Sequence, residues 1–377
     1  MGEANPDVLI VGGGVMGLAC AWRLAQRGLR TTILEENRCG HGASRAALGA
    51  LWPSPLANAG PLQNLQRASL WNFEPFVREL RSVSGLAVDY RRHGKLEFLN
   101  SPRALENARR HVAAAIAGWP ALDSGQVMEI LNRDQVLAIE PRLNVAPHGA
   151  QFCRWSAQVE VEQILAALVA ACRLAGVTIR EGSHVDQIEI ANDRACGARM
   201  GLERLAAGKV LLCAGVGTRL PDLSHTAEHP IVPVKGQALL LRAAGGLIGH
   251  IVKNGPIFLV PWPDGRILVG STTEPEAGFD TTNTAAGVQT LLHGAVEICP
   301  ELKTAALERI WAGLRPSGPG HRPLMGRVGR VGRVENLFIC AGHYKIGIGM
   351  APLAAELMAD LILTGKTPYD ISEFAPT

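Results

Sequence analysis

Residues 7–35 restrict the fold more than any other part of the chain. They read DVLIVGGGVMGLACAWRLAQRGLRTTILE. The apolar run at 8–11 predicts a buried strand, and a glycine-rich turn and an amphipathic helical pattern follow it. A second apolar run at 31–34 ends in Glu35. This order of strand, glycine turn, helix, strand and acid is typical of a dinucleotide-binding fold.

Each part of this pattern has a physical role. Gly12 permits the tight turn, Gly14 lets a pyrophosphate approach the backbone, and Gly17 allows the helix to pack closely on the strand. The N-terminus of the helix offers free N–H groups and the positive end of its dipole to the phosphates. The alternative interpretation is an ordinary glycine-rich turn in a nucleotide-free α/β protein.

The acid at the end of the second strand indicates which nucleotide is bound. A carboxylate at Glu35 can accept hydrogen bonds from both hydroxyls of a ribose. It would repel a 2′-phosphate, so NADP is disfavoured at this site.

Composition excludes several classes of protein. The chain has 377 residues, is 47% hydrophobic, and carries a formal net charge of +3 without a dense Lys/Arg run. We therefore expect a globular enzyme with a large core and no binding to nucleic acid. The eight cysteines form no CxxC pair, and the His and Cys residues lack ligand spacing, so we expect buried reduced thiols and no metal.

The sequence pattern also predicts the location of the protein. The N-terminal residues are polar and lead directly into the first strand, and we find neither a secretory signal nor an apolar run near eighteen residues. These observations predict a cytoplasmic protein without a membrane span.

The order of patterns along the chain predicts two interleaved domains. Residues 62–84 and about 161–174 have helical periodicity, Asp264-Gly265 marks a hairpin between two apolar strands, and 307–313 predicts a strand. α/β character at both ends and antiparallel patterns in the middle predict a Rossmann-like, α/β nucleotide domain with an interleaved α+β substrate domain built on an antiparallel sheet. The expected boundaries are 1–85, 145–225 and 318–377 for the nucleotide domain, and 86–144 and 226–317 for the substrate domain.

Several segments together resemble one known family. They are VLIVGGGVMGLACAWRLAQRG, GASRAALGAL, VPVKGQ, ILVGSTTE, RIWAGLRP and AGHYKIGIGMAP. The chain resembles the D-amino-acid-oxidase-like FAD-dependent oxidoreductases over nearly its whole length. Within them it is most similar to the glycine oxidase branch, which includes thiamine-pathway glycine oxidases and the flavin subunit of hydrogen cyanide synthase.

The resemblance implies FAD in extended form. Two further cofactor residues, Ala214 and Gly215, are expected because a strand that ends in small residues can pass under a nucleotide. By position in the family's motifs, together with these and the turn glycines, the expected cofactor residues are Gly12, Gly14, Val15, Met16, Gly17, Glu35, Glu36, Ala43, Ser44, Leu48, Gly49, Ala50, Val185, Ala214, Gly215, His343, Tyr344, Lys345, Ile346, Gly347, Ile348 and Gly349.

The resemblance also implies a substrate site. Arg315 matches the arginine that binds the substrate carboxylate, and a guanidinium offers a carboxylate two parallel donors. A structural ion pair is the alternative role for this arginine. Glycine oxidases have an arginine where this chain has Lys345 and a tyrosine where it has Phe258, so we expect a more apolar wall and a substrate bulkier than glycine.

These residues predict oxidation of a small or N-substituted amino acid at its C–N bond. The flavin carries the chemistry by accepting a hydride, the imine is hydrolysed to an oxo acid, and dioxygen is expected to become hydrogen peroxide. N-carboxymethyl amino acids, sarcosine, glycine and D-amino acids are the candidate substrates, and a homo-oligomer is expected. The alternatives are a flavin dehydrogenase subunit that passes electrons to a partner, an NAD-dependent dehydrogenase, and a non-enzymatic FAD-binding protein.

Overall fold

The computed structural model describes residues 5–53, 60–118, 127–218, 231–243, 246–328 and 334–376. The α-helices within these ranges are α1 (Val15–Gln26), α2 (Ala43–Ala46), α3 (Pro61–Trp71), α4 (Phe73–Ser84), α5 (Pro102–Gly118), α6 (Arg133–Ile139), α7 (Val161–Leu174), α8 (Ala285–Ile298) and α9 (Gly347–Thr364).

The strands of the described ranges form four sheets. In chain order they are β1 (Val8–Val11), β2 (Thr31–Leu34), β3 (Ala50–Leu51), β4 (Tyr90–Arg91), β5 (Lys95–Phe98), β6 (Met128–Leu131), β7 (Ala150–Cys153), β8 (Ala157–Val159), β9 (Thr178–Arg180), β10 (Gln187–Ala191), β11 (Arg194–Met200), β12 (Glu203–Ala206), β13 (Lys209–Leu212), β14 (Val232–Arg242), β15 (Ile251–Asn254), β16 (Ile257–Pro261), β17 (Arg266–Gly270), β18 (Ala306–Ser317), β19 (Leu324–Arg327) and β20 (Leu337–Ala341).

The first large sheet is the centre of a three-layer unit. Its strands, within the described part of the chain, run in the order β19-β20-β13-β1-β2-β9, and they are parallel except for β19. Val8 and Ile10 pack with helices α1, α7 and α9, whereas Leu9 and Val11 pack with the small sheet β10-β11-β12. Both faces of β1 are therefore covered, which explains why it is a continuous apolar run.

The second large sheet is mostly antiparallel. Its described strands run in the order β18-β14-β17-β16-β15-β5-β7-β6, and the pair β15 and β5 is parallel. Alternate residues such as Leu239, Leu259 and Val269 pack against α8. The other face of the sheet carries Trp311 and Arg315 on β18. This face points towards the three-layer unit, where Trp311 Nε1 donates to the carbonyl oxygen of Ala46.

The predicted fold class is confirmed.

One strand lies on the other side of the predicted domain division. β7 pairs with β5 and β6, so it belongs to the antiparallel sheet rather than to the nucleotide domain that was expected to resume at residue 145. We propose the predicted domain division with one change, which is that the nucleotide domain resumes after Cys153 rather than at residue 145. The expected boundary between 225 and 226 lies outside the described residues.

The structure differs from two of the secondary-structure predictions in where the elements begin and end. Residues 62–84 form two helices, because the chain turns at Asn72 between α3 and α4. The strand predicted at 307–313 continues to Ser317 and pairs with β14 along its length, so Arg315 lies within a strand. The helix predicted at about 161–174 is α7, and Asp264-Gly265 does connect β16 to β17.

The expectation about apolar runs needs a correction. Helix α9 has 18 residues with a mean hydropathy of 1.4, which is long and apolar enough to cross a membrane by length and composition. However, 67% of this stretch is buried within the protein, where it packs against α1 and α3. A core helix passes the same test, because a helix covered on most sides is apolar all round. All eight cysteines are free thiols, and six of them are buried.

The close contact between the turn and α1 generates a stability prediction. A Cβ at Gly17 would overlap the carbonyl oxygen of Gly12, whereas a Cβ at Gly42 would meet nothing within 4 Å. We expect Gly17→Ala to destabilise the protein by about 1–3 kcal/mol, since the helix must move off the strand. Thermal unfolding of the apoprotein measures this, with Gly42→Ala as the control. Equal melting temperatures for the two variants would contradict the packing role of Gly17.

Candidate active site

The glycine turn has the geometry expected of a phosphate-binding loop. Gly12 has φ of +103°, and a Cβ there would lie 2.6 Å from the carbonyl oxygen of Cys213. Gly14 is the N-cap of α1 and lines a large cleft. Ser44 accepts a hydrogen bond from the N–H of Val15 at 3.0 Å, so α2 is held against the start of α1. The turn therefore leaves the backbone at Gly14 accessible from the cleft.

Glu35 lies where the second strand ends and is already oriented by the backbone. Its Oε2 accepts a hydrogen bond from the N–H of Gly13 at 2.7 Å, and its Oε1 accepts one from the N–H of Asn37 at 2.9 Å. Glu36 is exposed and faces His184, with 3.4 Å between Oε1 and Nδ1. Both carboxylates line the same cleft as the glycine turn.

The cleft has a volume of about 1040 Å³ and collects most of the predicted cofactor residues. Those that line it are Gly12, Gly14, Val15, Met16, Glu35, Glu36, Ala43, Ser44, Val185, Ala214, Gly215, His343, Tyr344, Lys345, Gly347 and Ile348. These residues come from six separate segments of the chain, one of which contributes Val185 alone. The structure thus brings together the turn, the acid, α2, the end of β13 and the loop before α9.

The remaining predicted cofactor residues lie behind or beside this lining. They are Gly17, Leu48, Gly49, Ala50, Ile346 and Gly349. Gly17 packs on Gly12, Leu48 approaches Gly270, and Gly49 lies against the carbonyl of Val159. Ala50 belongs to β3, Ile346 is the N-cap of α9, and the carbonyl of Gly349 accepts a hydrogen bond from Ser69 at 2.7 Å. Their assignment to the cofactor stays a prediction.

Several cleft residues had no signal in the sequence. Asn37, Ser183 and Asp186 lie within two positions of predicted residues, and only those neighbours in the chain could have indicated them. Phe279 had none, because it lies in a loop of the other domain and is 59% exposed. The buried Lys235 ammonium holds that loop, since it donates to Asp280 at 2.7 Å and lowers the pKa of that carboxyl to about 2.

The cleft fits FAD in its chemistry. A cradle that glycines keep open lies at the start of α1, where N–H groups and the helix dipole favour a pyrophosphate. Glu35 would hold the ribose, and Gly347 begins α9 at the other end of the lining, where a helix N-terminus favours negative charge on the flavin.

Arg315 lies beside this cleft and is held by neutral acceptors. Its Nη2 donates to Ser271 Oγ at 2.9 Å and to the carbonyl of Thr272 at 3.1 Å, and its Nη1 donates to the carbonyl of Lys235 at 3.3 Å. A Cβ at Gly236 would overlap the guanidinium, so only glycine leaves it room. Burial lowers the pKa of Arg315.

The contacts of Arg315 do not favour the structural ion pair. Within the described ranges, no carboxylate lies at ion-pair distance from its guanidinium. By contrast, Arg142 and Arg242 each pair with a glutamate at the surface. A partly desolvated guanidinium without an anion is suited to bind one from outside.

Phe258 belongs to an apolar wall next to Arg315. Its ring meets that of Trp52 edge to face, with centroids 5.2 Å apart. Phe258 is opposite Gly270 in the sheet, and a Cβ at Gly270 would lie 2.8 Å from Leu48 Cδ2 and 2.9 Å from Phe258 Cζ. Gly270 precedes Ser271, the hydrogen-bond acceptor of Arg315, so the wall and the cation are adjacent.

Lys345 is the third predicted substrate residue. Its Nζ donates to Thr273 Oγ1 at 3.3 Å, and its side chain is exposed at the mouth of the cleft. Desolvation lowers the pKa of Lys345, and the charges of Arg315 and Lys253 lower it further.

Within the described part of the chain, no group of three or more His, Cys, Asp or Glu side chains is arranged to hold a metal.

The fold and the cleft fit a flavin-dependent oxidoreductase, because a nucleotide-binding sheet is joined to an antiparallel sheet and the cleft lies at their junction. Comparison with known proteins agrees. Residues 7–361 match the family model described as DAO, FAD dependent oxidoreductase, and the chain belongs to this family.

Individual proteins of this family show which of its members the chain is similar to. The chain is 32% identical to a glycine oxidase of Pseudomonas putida, over 99% of this chain and 98% of that one. It is 29% identical to the hydrogen cyanide synthase subunit HcnC of Pseudomonas aeruginosa, over 98% and 95%. The crystal structure of glycine oxidase from Geobacillus kaustophilus superposes with a TM-score of 0.89 at 31% identity, over 99% of each chain.

These findings confirm the predicted family, the enzyme class and FAD as the cofactor. The chain is a glycine oxidase-like, FAD-dependent amino acid oxidase or dehydrogenase. The alternatives of an NAD-dependent dehydrogenase and of a non-enzymatic FAD-binding protein are left without support.

The geometry at Glu35 generates a binding prediction. We expect Glu35→Gln to weaken FAD binding about 10- to 100-fold, because the amide replaces one acceptor oxygen by a donor and loses a charged hydrogen bond worth about 1.5–3 kcal/mol. Quenching of FAD fluorescence on titration with apoprotein measures the dissociation constant. Glu203→Gln, an exposed glutamate paired with Arg180, is the control. Unchanged affinity in Glu35→Gln would remove this carboxylate from the ribose site.

Proposed function

We propose that the enzyme oxidises a primary or N-substituted α-amino acid at its C–N bond. The observation that supports this most is the Arg315 guanidinium, which is desolvated, fixed by three neutral acceptors and free of a carboxylate partner among the described residues. Its position beside the FAD cleft suits the binding of a substrate carboxylate. We propose that FAD contacts the predicted cofactor residues that line the cleft.

The protein's part in this reaction is to position the substrate and to exclude water. Arg315 binds the carboxylate through two parallel hydrogen bonds and fixes the orientation of the α carbon. Phe258, Trp52 and Leu48 cover the substrate on the other side. Bound FAD supplies the oxidising chemistry by accepting a hydride from the α C–H. Water then hydrolyses the imine product to an oxo acid and ammonia or an amine.

The proposed reaction needs no catalytic side chain. The substrate reacts as the neutral amine, so positioning and electrostatics account for the protein's contribution. We therefore assign Arg315, Lys345 and Phe258 to substrate binding and none of them to proton transfer.

The apolar wall bears on which amino acid is oxidised. Phe258 cannot donate a hydrogen bond to a carboxylate, so Arg315 provides the main contact. Free glycine gains nothing from an apolar wall, whereas an amino acid with a nitrogen substituent or a side chain buries surface against it. A substrate larger than glycine fits these residues best.

The fate of the electrons defines two candidate functions. We propose that dioxygen accepts them and becomes hydrogen peroxide. The likeness to a hydrogen cyanide synthase subunit favours a second candidate, a dehydrogenase that transfers the electrons to a partner. The expected homo-oligomer and cytoplasmic location stay predictions.

Substitution of Arg315 tests the substrate role. We expect Arg315→Ala to raise the apparent KM by about 100-fold, since losing a buried charged contact costs about 3 kcal/mol, while FAD stays bound. Anaerobic bleaching of the flavin absorbance at increasing amino acid concentration measures this. Arg309→Ala, on the same strand and exposed, is the control. Normal turnover and KM in Arg315→Ala would refute the assignment.

An oxygen measurement separates the two candidate functions. For the oxidase, we expect purified protein alone to consume one O2 for each amine oxidised, and catalase to return half of it, because one hydrogen peroxide is formed per turnover. An oxygen electrode measures both quantities. Flavin that is bleached by the amine in air and recovers only with an added electron acceptor would favour the dehydrogenase.

A further inference from the structure

The substrate region contains more positive charge than one carboxylate can neutralise. Arg315 donates to the carbonyl oxygen of Thr272, and Lys345 donates to the hydroxyl of the next residue, Thr273. The two cations therefore bind adjacent residues of the same segment. Among the residues that the structure describes, neither has a carboxylate within ion-pair distance.

The nearby carboxylates are already paired with other lysines. Glu97 is shared by Lys95, at 2.7 Å, and by Lys253, with which it also forms an ion pair. On the other side, Lys235 pairs with Asp280 at 2.7 Å and with Glu274 at 3.5 Å. These anions are held by the lysines and cannot also neutralise Lys345.

The strand register places a further cation beyond the apolar wall. Lys253 on β15 is directly opposite Phe258 on β16, and Phe258 is opposite Gly270 on β17. Neighbouring strands are about 4.8 Å apart, so Lys253 starts roughly 10 Å from the strand end that holds Arg315. The register thus places Lys253, together with its ion-pair partner Glu97, on the opposite side of Phe258 from the strand end that holds Arg315.

We infer that the substrate is an amino dicarboxylate, with one carboxylate on Arg315 and the second on Lys345. This inference rests on the proposed function and names its substrate class. A monocarboxylic amino acid would neutralise Arg315 and leave Lys345 without an anion. A second carboxylate supplies that anion, and the methylene groups between the two acids lie against Phe258.

The second acid can be carried on the nitrogen, as in an N-carboxymethyl amino acid, or on the side chain, as in aspartate. Both share the same chemistry, an amine with two carboxylates in reach of the two cations. Anaerobic flavin reduction by iminodiacetate, by D-aspartate and by L-aspartate distinguishes these sources.

A binding experiment tests the inference without turnover. Diglycolate and methoxyacetate are ethers that resemble iminodiacetate and sarcosine but have no amine to oxidise, and they differ by one carboxylate. Calorimetric titration of the FAD-loaded enzyme should show diglycolate binding about tenfold more tightly or better, since a charged contact of about 1.4 kcal/mol corresponds to a tenfold change. Equal affinities would overturn the inference.

Variants assign the preference to Lys345. Lys345→Gln should weaken diglycolate about tenfold and leave methoxyacetate within about twofold, whereas Lys345→Arg should keep the preference because it keeps the charge. Lys303 is an exposed lysine in the short helical turn Pro300–Thr304, and Lys303→Gln should change the affinity for neither ligand. Equal weakening of both ligands in Lys345→Gln would overturn the inference, because Lys345 would then act on the carboxylate that they share.

The two proposals fail in different ways. If sarcosine or alanine bleaches the flavin and the calorimetric preference for diglycolate is absent, the dicarboxylate inference is wrong and the amino acid oxidation stands. If no amine bleaches the flavin, the proposed function is wrong, whatever the calorimetry shows.

Discussion

The placement of the Arg315 guanidinium over Gly236 is the contact on which the proposed substrate site depends. Glycine at 236 leaves the space, and the end of β17 provides Ser271 and the carbonyl of Thr272 as acceptors. All of these partners are neutral, so they orient the cation without cancelling its charge. A carboxylate in their place would have made the same arginine a structural residue and left no anchor for an acidic substrate.

That contact requires two sheets to meet at one edge. Strands β1 and β20 of the nucleotide sheet end at the cofactor cleft. The antiparallel sheet contacts the nucleotide domain through β18, where Trp311 donates a hydrogen bond to the carbonyl oxygen of Ala46. The loop before α9 then brings Lys345 next to Thr273. The cofactor cleft and the substrate cations are therefore adjacent because of packing between domains, and neither domain contains the site alone.

Local signals predicted much of the fold and of the cofactor cleft. Helix α7 and the hairpin at Asp264-Gly265 could be located because periodicity and turn chemistry act over a few residues. The break at Asn72 and the buried character of α9 were missed, because both depend on what the segment packs against. Phe279 could not be predicted either, since its place in the cleft depends on the ion pairs of a buried lysine.

The sequence by itself determined the nucleotide-binding unit, because its glycines, strand and acid act within some thirty residues of chain. It also supplied the residue types of the substrate site, a guanidinium, an ammonium and a phenyl ring. Only the tertiary structure decided that Arg315 and Lys345 bind neighbouring residues of one segment, and that the two have no carboxylate partner among the described residues. These residues are distant in the chain, and their convergence follows from the order of the strands and the packing of α9, which no local pattern encodes.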